Sequence, residues 1–142
     1  VGETVRVLFL CTGNSARSQM AEAFARHYGQ GRVEASSAGI EPRGLHPFTV
    51  KAMKEKGMDV SRQQSKAVTD EMLRAADVVI TVCGHADDRC PALPTDVRKL
   101  HWPIEDPAVF SGRAPEEVLA AFRRARDDLE SRVRDLLSFL EP

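Results

Sequence analysis

Hydrophobic and polar positions along the chain switch between two periods. Val5-Arg6-Val7-Leu8-Phe9-Leu10 and Val78-Val79-Ile80-Thr81-Val82 are short, almost continuous apolar runs, the pattern of parallel strands covered on both faces. Val33 to Ser37 and Val97 to His101 are shorter and weaker strand candidates. Between the runs the spacing becomes helical. Met20, Ala21, Ala23, Phe24, Ala25 and Tyr28 suit one helix stopped by Gly29, Pro47 to Lys56 suits a second stopped by Gly57, and Thr69 to Ala75 suits a short third. The last segment carries the plainest pattern. Val118, Phe122, Ala125, Leu129, Val133, Leu136 and Leu140 step by threes and fours, with arginines and acids on the other face. Pro115, Glu116 and Glu117 suit its first turn, where a missing N–H costs nothing and negative charge meets the positive end of the helix dipole. Alternating strands and helices indicate an α/β fold. Gly84 to Thr95, with two prolines, is expected to be the longest loop. No repeat, low-complexity tract or linker interrupts the pattern, so residues 1–142 are expected to form one domain.

Composition narrows the functional classes. The chain is 42% hydrophobic and 29% charged with formal net charge −1, so no basic excess points to nucleic acid. No run is long enough to span a bilayer, and the N-terminal run is short and carries Arg6. Bulky Leu10 before Cys11 also argues against a lipoprotein signal. The expectation is a soluble, cytoplasmic protein. Three cysteines, Cys11, Cys83 and Cys90, are too few and odd in number for a disulfide-stapled scaffold. They are packing thiols, metal ligands or reagents.

Cys11-Thr12-Gly13-Asn14-Ser15-Ala16-Arg17-Ser18 ends the first apolar run. A strand entering a helix through such a loop aims successive N–H groups at one point beside the helix's positive end, a geometry that binds a tetrahedral oxyanion. Gly13 gives conformational freedom, and Thr12, Asn14, Ser15 and Ala16 are small enough to let the backbone approach. Arg17 adds a planar fork able to hold two oxygens. The same positive surroundings favour the Cys11 thiolate, with Ser18 placed to hydrogen-bond it. The loop thus binds an anion and sets a nucleophile beneath it. The pattern is not a nucleotide P-loop, which requires G-x-x-x-x-G-K-[ST].

CTGNSARSQMAEAF resembles the signature of the low-molecular-weight phosphotyrosine phosphatase superfamily, and more closely its thioredoxin-coupled arsenate reductases. SAGIEP at 37–42, VCGHADDRCP at 82–91 and HWPIEDPA at 101–108 extend the resemblance over nearly the whole chain. It implies a three-layer sandwich with a four-stranded parallel sheet flanked by helices. It also implies Asp106, in Asp106-Pro107, as the general acid for the leaving oxygen, although an Asp-Pro pair also starts ordinary turns. Gln19 stands where phosphatases carry a proline, and Ala108 stands where they carry an aromatic that would sandwich a substrate ring. These departures point to a small inorganic anion.

For the reductases the resemblance implies a relay. Cys11 attacks arsenate, Cys83 attacks Cys11 as arsenite leaves, and Cys90 attacks Cys83, leaving a Cys83–Cys90 disulfide for thioredoxin. Phosphate or sulfate would act as substrate analogues. No cofactor or catalytic metal is implied, and the chain is expected to be a monomer. Related reductases hold potassium through an Asn, a Glu, a Ser and an Asp. Asn14, Glu22 and Ser37 match three of them, and the fourth falls near Lys66, whose ammonium could supply the charge instead. Ala16 stands where some relatives have another Cys. His27, His46 and Met53 read as surface or packing residues.

Other readings stay open. Cys83 and Cys90 can be structural thiols, or can join His85 and His101 as zinc ligands, although C-x6-C lacks knuckle spacing. Within the fold, a phosphatase acting on phosphotyrosine or a small phosphate ester would use Cys11, Arg17 and Asp106. A non-catalytic anion- or zinc-binding module is a third possibility.

Overall fold

A computed structural model describes residues 4–90 and 92–139. Four parallel strands, β1 (Val5–Cys11), β2 (Val33–Gly39), β3 (Val78–Thr81) and β4 (Arg98–His101), lie in the order β2-β1-β3-β4. β1 is central because it is apolar without interruption from Val7 to Cys11. Val7 to Cys11 are all buried although successive side chains point to opposite faces, so both faces of the sheet are covered. All four residues of β4 are exposed, as suits an edge strand, which explains its weak sequence signal.

The helices are α1 (Arg17–Tyr28), α2 (Pro47–Lys54), α3 (Asp70–Ala75), α4 (Gly84–Arg89) and α5 (Pro115–Phe139). α2 is shorter than its apolar pattern suggests. Its last residues tighten into a turn closed by Gly57, whose φ of +77° is the left-handed conformation a glycine stop requires. α3 begins after Thr69, whose hydroxyl accepts from the Met72 amide.

Two expectations are corrected. The segment after β3 is not an open loop throughout, because residues 84–89 form α4. A lone buried Ala86, the Cys83 sulfur capping the Ala86 amide, and contacts from Asp87 to Thr81 and Lys99 hold the helix, and none of these makes an apolar stripe. Pro91, within the expected loop, lies outside the described residues. In α5 the buried row ends on Leu137, with Leu136 only half-buried and Leu140 outside the described residues. Arg126 also departs from the polar face. It is buried, and donates to the Ala52 carbonyl at 3.0 Å, to Glu55 at 2.8 Å and to Asp127 at 2.8 Å.

Glu55, at the end of α2, thereby ties α2 to α5 through Arg123 and Arg126. The Arg123 guanidinium, with Arg126 beside it, holds the carboxyl well down, from 4.5 to about 2. A depressed carboxyl contributes stability above its unfolded value and loses it as pH falls through the folded value. Acid unfolding should therefore steepen between pH 4.5 and about 2. In Glu55→Gln that part of the pH dependence should be absent from denaturant midpoints measured across the range.

Candidate functional site

Parallel strands put all their carboxyl ends on one edge of the sheet, and the crevice beside those ends is where open α/β sheets hold ligands. The 11–18 loop leaves β1 there, Cys83 follows β3, and Asp106 follows β4. Cys11, Thr12, Gly13, Ser15, Ala16 and Arg17 line a cleft of about 310 Å³, joined by Asp106, Ala108, Glu41 and Arg43.

The loop owes its shape to what holds its carbonyls. Cys11 O accepts from Ile40 N, Thr12 O from Glu41 N, and Gly13 O from Arg43 N and the Ser65 hydroxyl. Asn14 O accepts from the Gln19 amide at 2.9 Å, Ser15 O from His46 N and Thr49 Oγ1, and Ala16 O from Met20 N. With these carbonyls engaged, the N–H groups of Gly13, Ser15 and Ala16 have no acceptor among the described residues. The first N–H groups of α1 lie beside them, unpaired as at any helix start. This is the polarity an oxyanion cradle needs.

Asn14 sits at the pivot, with φ of +47°, a left-handed conformation that Asn tolerates better than most residues. It is fully buried, and its Oδ1 accepts from Lys66 N at 2.9 Å, which fixes the orientation of the amide. Nδ2 then donates to Ser18 Oγ at 2.8 Å and to Ser37 Oγ at 2.9 Å. Ser18 Oγ, which accepts from Asn14, also lies 2.8 Å from Cys11 Sγ, where its hydroxyl can donate to a thiolate. Asn14 N donates to the same sulfur at 3.2 Å. The sulfur of Cys11 thus accepts from one backbone N–H and has a hydroxyl beside it that can supply a second donor. Gly39 must be glycine, since a Cβ there would stand 2.7 Å from Thr12 O and 2.9 Å from Asn14 N.

Arg17 is nearly buried. It reaches Ile104 O at 3.1 Å and lies 3.6 Å from Asp106 Oδ2. Asp106 uses Oδ1 to cap the turn Pro107–Phe110 by accepting from Ala108 N at 2.9 Å. Oδ2 is left facing the cleft beside Arg17. The turn-forming and proton-carrying readings of Asp106 are therefore compatible, one on each oxygen. No aromatic side chain lines the cleft among the described residues: Trp102 packs on Phe9, and Phe110 lies under Arg124. Tyr28 is tied to Glu130.

All three cysteines are free. Cys83 is buried at the start of α4, and its sulfur lies 3.2 Å from the hydroxyl of Thr12, the residue next to Cys11. Cys90 ends α4 and is half-buried, and burial pushes its thiol up against the opposing pull of Lys99. No group of three or more His, Cys, Asp or Glu is placed to hold a metal among the described residues, and the side chain of His85, one of the expected zinc ligands, lies outside them. Asn14, Ser37 and Glu22 do form a chain, Ser37 donating to Glu22 at 2.6 Å. Glu22 pairs with Arg26 at 3.0 Å, whereas the exposed Lys66 ammonium turns to Gln64 O, so the charge expected of Lys66 comes from Arg26.

A profile of the family described as low molecular weight phosphotyrosine protein phosphatase matches residues 6–141. The chain belongs to that family. Among its relatives, the arsenate reductase of Halalkalibacterium halodurans is 48% identical over 128 residues, 90% of this chain and 91% of the relative. A solved arsenate reductase in a phosphate-binding state superposes with TM-score 0.79 at 33% identity, covering 97% of this chain and all of the other. Corynebacterium glutamicum thioredoxin-dependent arsenate reductase gives 0.74 at 33% identity over 99% of this chain and 64% of that one.

Within this family fold, the residues that sequence reading missed are those that support the loop from a distance. Gln19, Ser65, Thr49 and the backbone of 40–46 hold its carbonyls, and Gln63 in turn donates to Gln19 Oε1 at 2.7 Å. A fully buried Gln19 directly after Arg17-Ser18 was the available signal, since a buried amide must find partners. His46, read as packing, caps α2 by accepting from Phe48 N and ties that cap to the loop.

Proposed function

We propose that this protein reduces arsenate to arsenite in the cytoplasm by a three-thiol relay recycled by thioredoxin, as part of arsenic detoxification. The observation that carries the reading is a second buried thiol, Cys83, whose sulfur lies 3.2 Å from the hydroxyl of Thr12, the neighbour of Cys11 in the cleft, with Cys90 one short helix away. A phosphatase cradle needs only the first of these thiols. Arsenate reductases among the relatives, one of them thioredoxin-dependent, support the same reading.

In the first step the Cys11 thiolate attacks arsenic, held by the loop N–H groups and the Arg17 fork. Asp106 Oδ2 gives its proton to the departing oxygen, which leaves as water. The Cys83 thiolate then attacks Cys11 sulfur. The S–As bond breaks toward arsenic, so arsenic gains two electrons and leaves as arsenite while Cys11–Cys83 forms. Cys90 attacks Cys83, and Cys11 departs as thiolate. An external dithiol reduces Cys83–Cys90. A phosphatase acting through Cys11, Arg17 and Asp106 is the second reading, favoured by the family profile.

Thiol counting separates the two. Fully reduced protein given arsenate without reductant should fall from three free thiols to one and release one arsenite, with Cys83 and Cys90 linked in the peptide map. Three persisting thiols alongside hydrolysis of a phenyl phosphate would make it a phosphatase. A monomer on a sizing column is expected throughout.

A further inference from the structure

The described cleft carries four charged side chains, and only two of them, Arg17 and Asp106, have work in the relay. Glu41 and Arg43 stand at the mouth. Their backbone is pinned, Glu41 N donating to Thr12 O at 2.8 Å and Arg43 N to Gly13 O at 2.9 Å. Gly44, with φ of +86°, turns the chain directly after Arg43 and donates to Ser65, whose hydroxyl also holds Gly13 O. The Arg43 stem lies on the loop. A Cβ on Gly13 would come 3.3 Å from Arg43 Cδ, so the stem packs closely against the loop backbone there.

The ends of these two side chains are held far more loosely than their backbone. Arg43 Nη2 and Glu41 Oε2 are 3.9 Å apart, and both side chains are more than half exposed. An ion pair so long and so wet is weak, and its members exchange partners readily. An incoming oxyanion meets the Cys11 sulfur, Asp106 and Glu41 against the deep Arg17, which is already engaged with Ile104 O and Asp106. Glu41 at the entrance repels the anion unless something covers it.

We propose that Arg43 is a specificity residue, an outer clamp that releases Glu41 and closes on the outward oxygens of the bound dianion, with Glu41 setting how strongly it is held back. This inference rests on the oxyanion-site reading of the 11–18 loop. Arg17 and the loop amides hold the inner oxygens, and Arg43 recognises the second negative charge. The pair biases the site toward compact dianions over monoanions, and a charge at the rim acts chiefly on capture and its salt dependence.

The test titrates inorganic phosphate into the reduced protein by calorimetry at low and high salt, for wild type, Arg43→Gln, Arg43→Lys, Glu41→Gln and the double Gln variant. Arg43→Gln should weaken phosphate about five- to tenfold at low salt and less at high salt, and Glu41→Gln should tighten it about two- to fivefold. Arg43→Lys should return to within about twofold of wild type, and the double variant should fall between the singles. With arsenate, Arg43→Gln should lower kcat/KM and leave kcat nearly unchanged. Both residues are exposed, so unchanged melting curves are expected to accompany these shifts. Wild-type protein that binds phosphate while every variant binds it equally overturns the clamp and leaves the oxyanion site standing. Wild-type protein that binds no phosphate overturns the site and the clamp with it.

Discussion

Cys90→Ser should release one arsenite per chain and then stop, trapped as a Cys11–Cys83 disulfide. Steady-state turnover with thioredoxin should fall by about three orders of magnitude, because the nucleophile itself no longer returns. The reason lies in α4. Cys83 and Cys90 cap its two ends, and a helical rise of ~1.5 Å per residue puts their Cα atoms about 10 Å apart. A disulfide closes only when they are within about 7 Å. The third step therefore requires α4 to unwind. What resists is Asp87, which accepts from Thr81 at 3.1 Å and pairs with Lys99 at 2.8 Å, together with buried Ala86. Lys99 and the Thr81 hydroxyl hold the Asp87 carboxyl below its ordinary range, so these contacts persist at neutral pH. A helix of six residues is marginal without such contacts. Hydrogen exchange should show amides 87–89 protected in reduced protein and in the trapped Cys90→Ser disulfide, and unprotected once wild type carries Cys83–Cys90. Equal protection in all three states would mean that Cys90 is not the resolving thiol, as would sustained turnover by Cys90→Ser.

What the sequence made legible follows the range of the interactions. Cys11 to Ser18 could be read because strand, loop and helix are contiguous, so nucleophile, amides and guanidinium arrive as one local unit. The order of strands and the pile-up of Cys83 and Asp106 at one sheet edge follow from parallel pairing once the apolar runs are recognised. What stayed hidden depends on side chains far apart in the chain. Nothing near residue 14 announces that Lys66 N will fix its amide, or that Ser65 will reach Gly13 O. Arg126 reads as one more arginine on a charged helix face until Ala52 O and Glu55 appear opposite it. Glu41 and Arg43 look like ordinary polar loop residues, and only the hydrogen bonds to Thr12 O and Gly13 O bring them to the cleft. α4 escaped notice for a related reason. Its stability comes from capping and from an ion pair to β4, and helical periodicity does not record either.

Arg17→Lys should cost about a hundredfold in kcat/KM for arsenate, and Arg17→Gln about a thousandfold or more. Two effects add. The first is the fork. A charged hydrogen bond contributes about 1.5–3 kcal/mol, and a guanidinium offers two to one anion where an ammonium offers a point charge. Removing a single aimed donor from a site where charge develops typically costs about 10²–10³ in rate. The second is position. Arg17 donates to Ile104 O at 3.1 Å and stands 3.6 Å from Asp106 Oδ2, so it also connects the anion cradle to the segment that carries the proposed acid. Lysine keeps the charge and loses the bridge. The loop itself should survive both changes, since its carbonyls are held by residues 40–49, Ser65, Gln19 and Met20 rather than by Arg17. The two contributions separate in the data. Loss of the fork raises the phosphate Kd and KM, whereas a displaced Asp106 lowers kcat and flattens the pH profile on its alkaline side, where a required acid loses its proton. Asp106→Asn should reproduce the kcat part alone, with phosphate binding kept. A phosphate Kd unchanged in Arg17→Gln would take the guanidinium out of the cradle and leave the loop amides as the whole of the anion site.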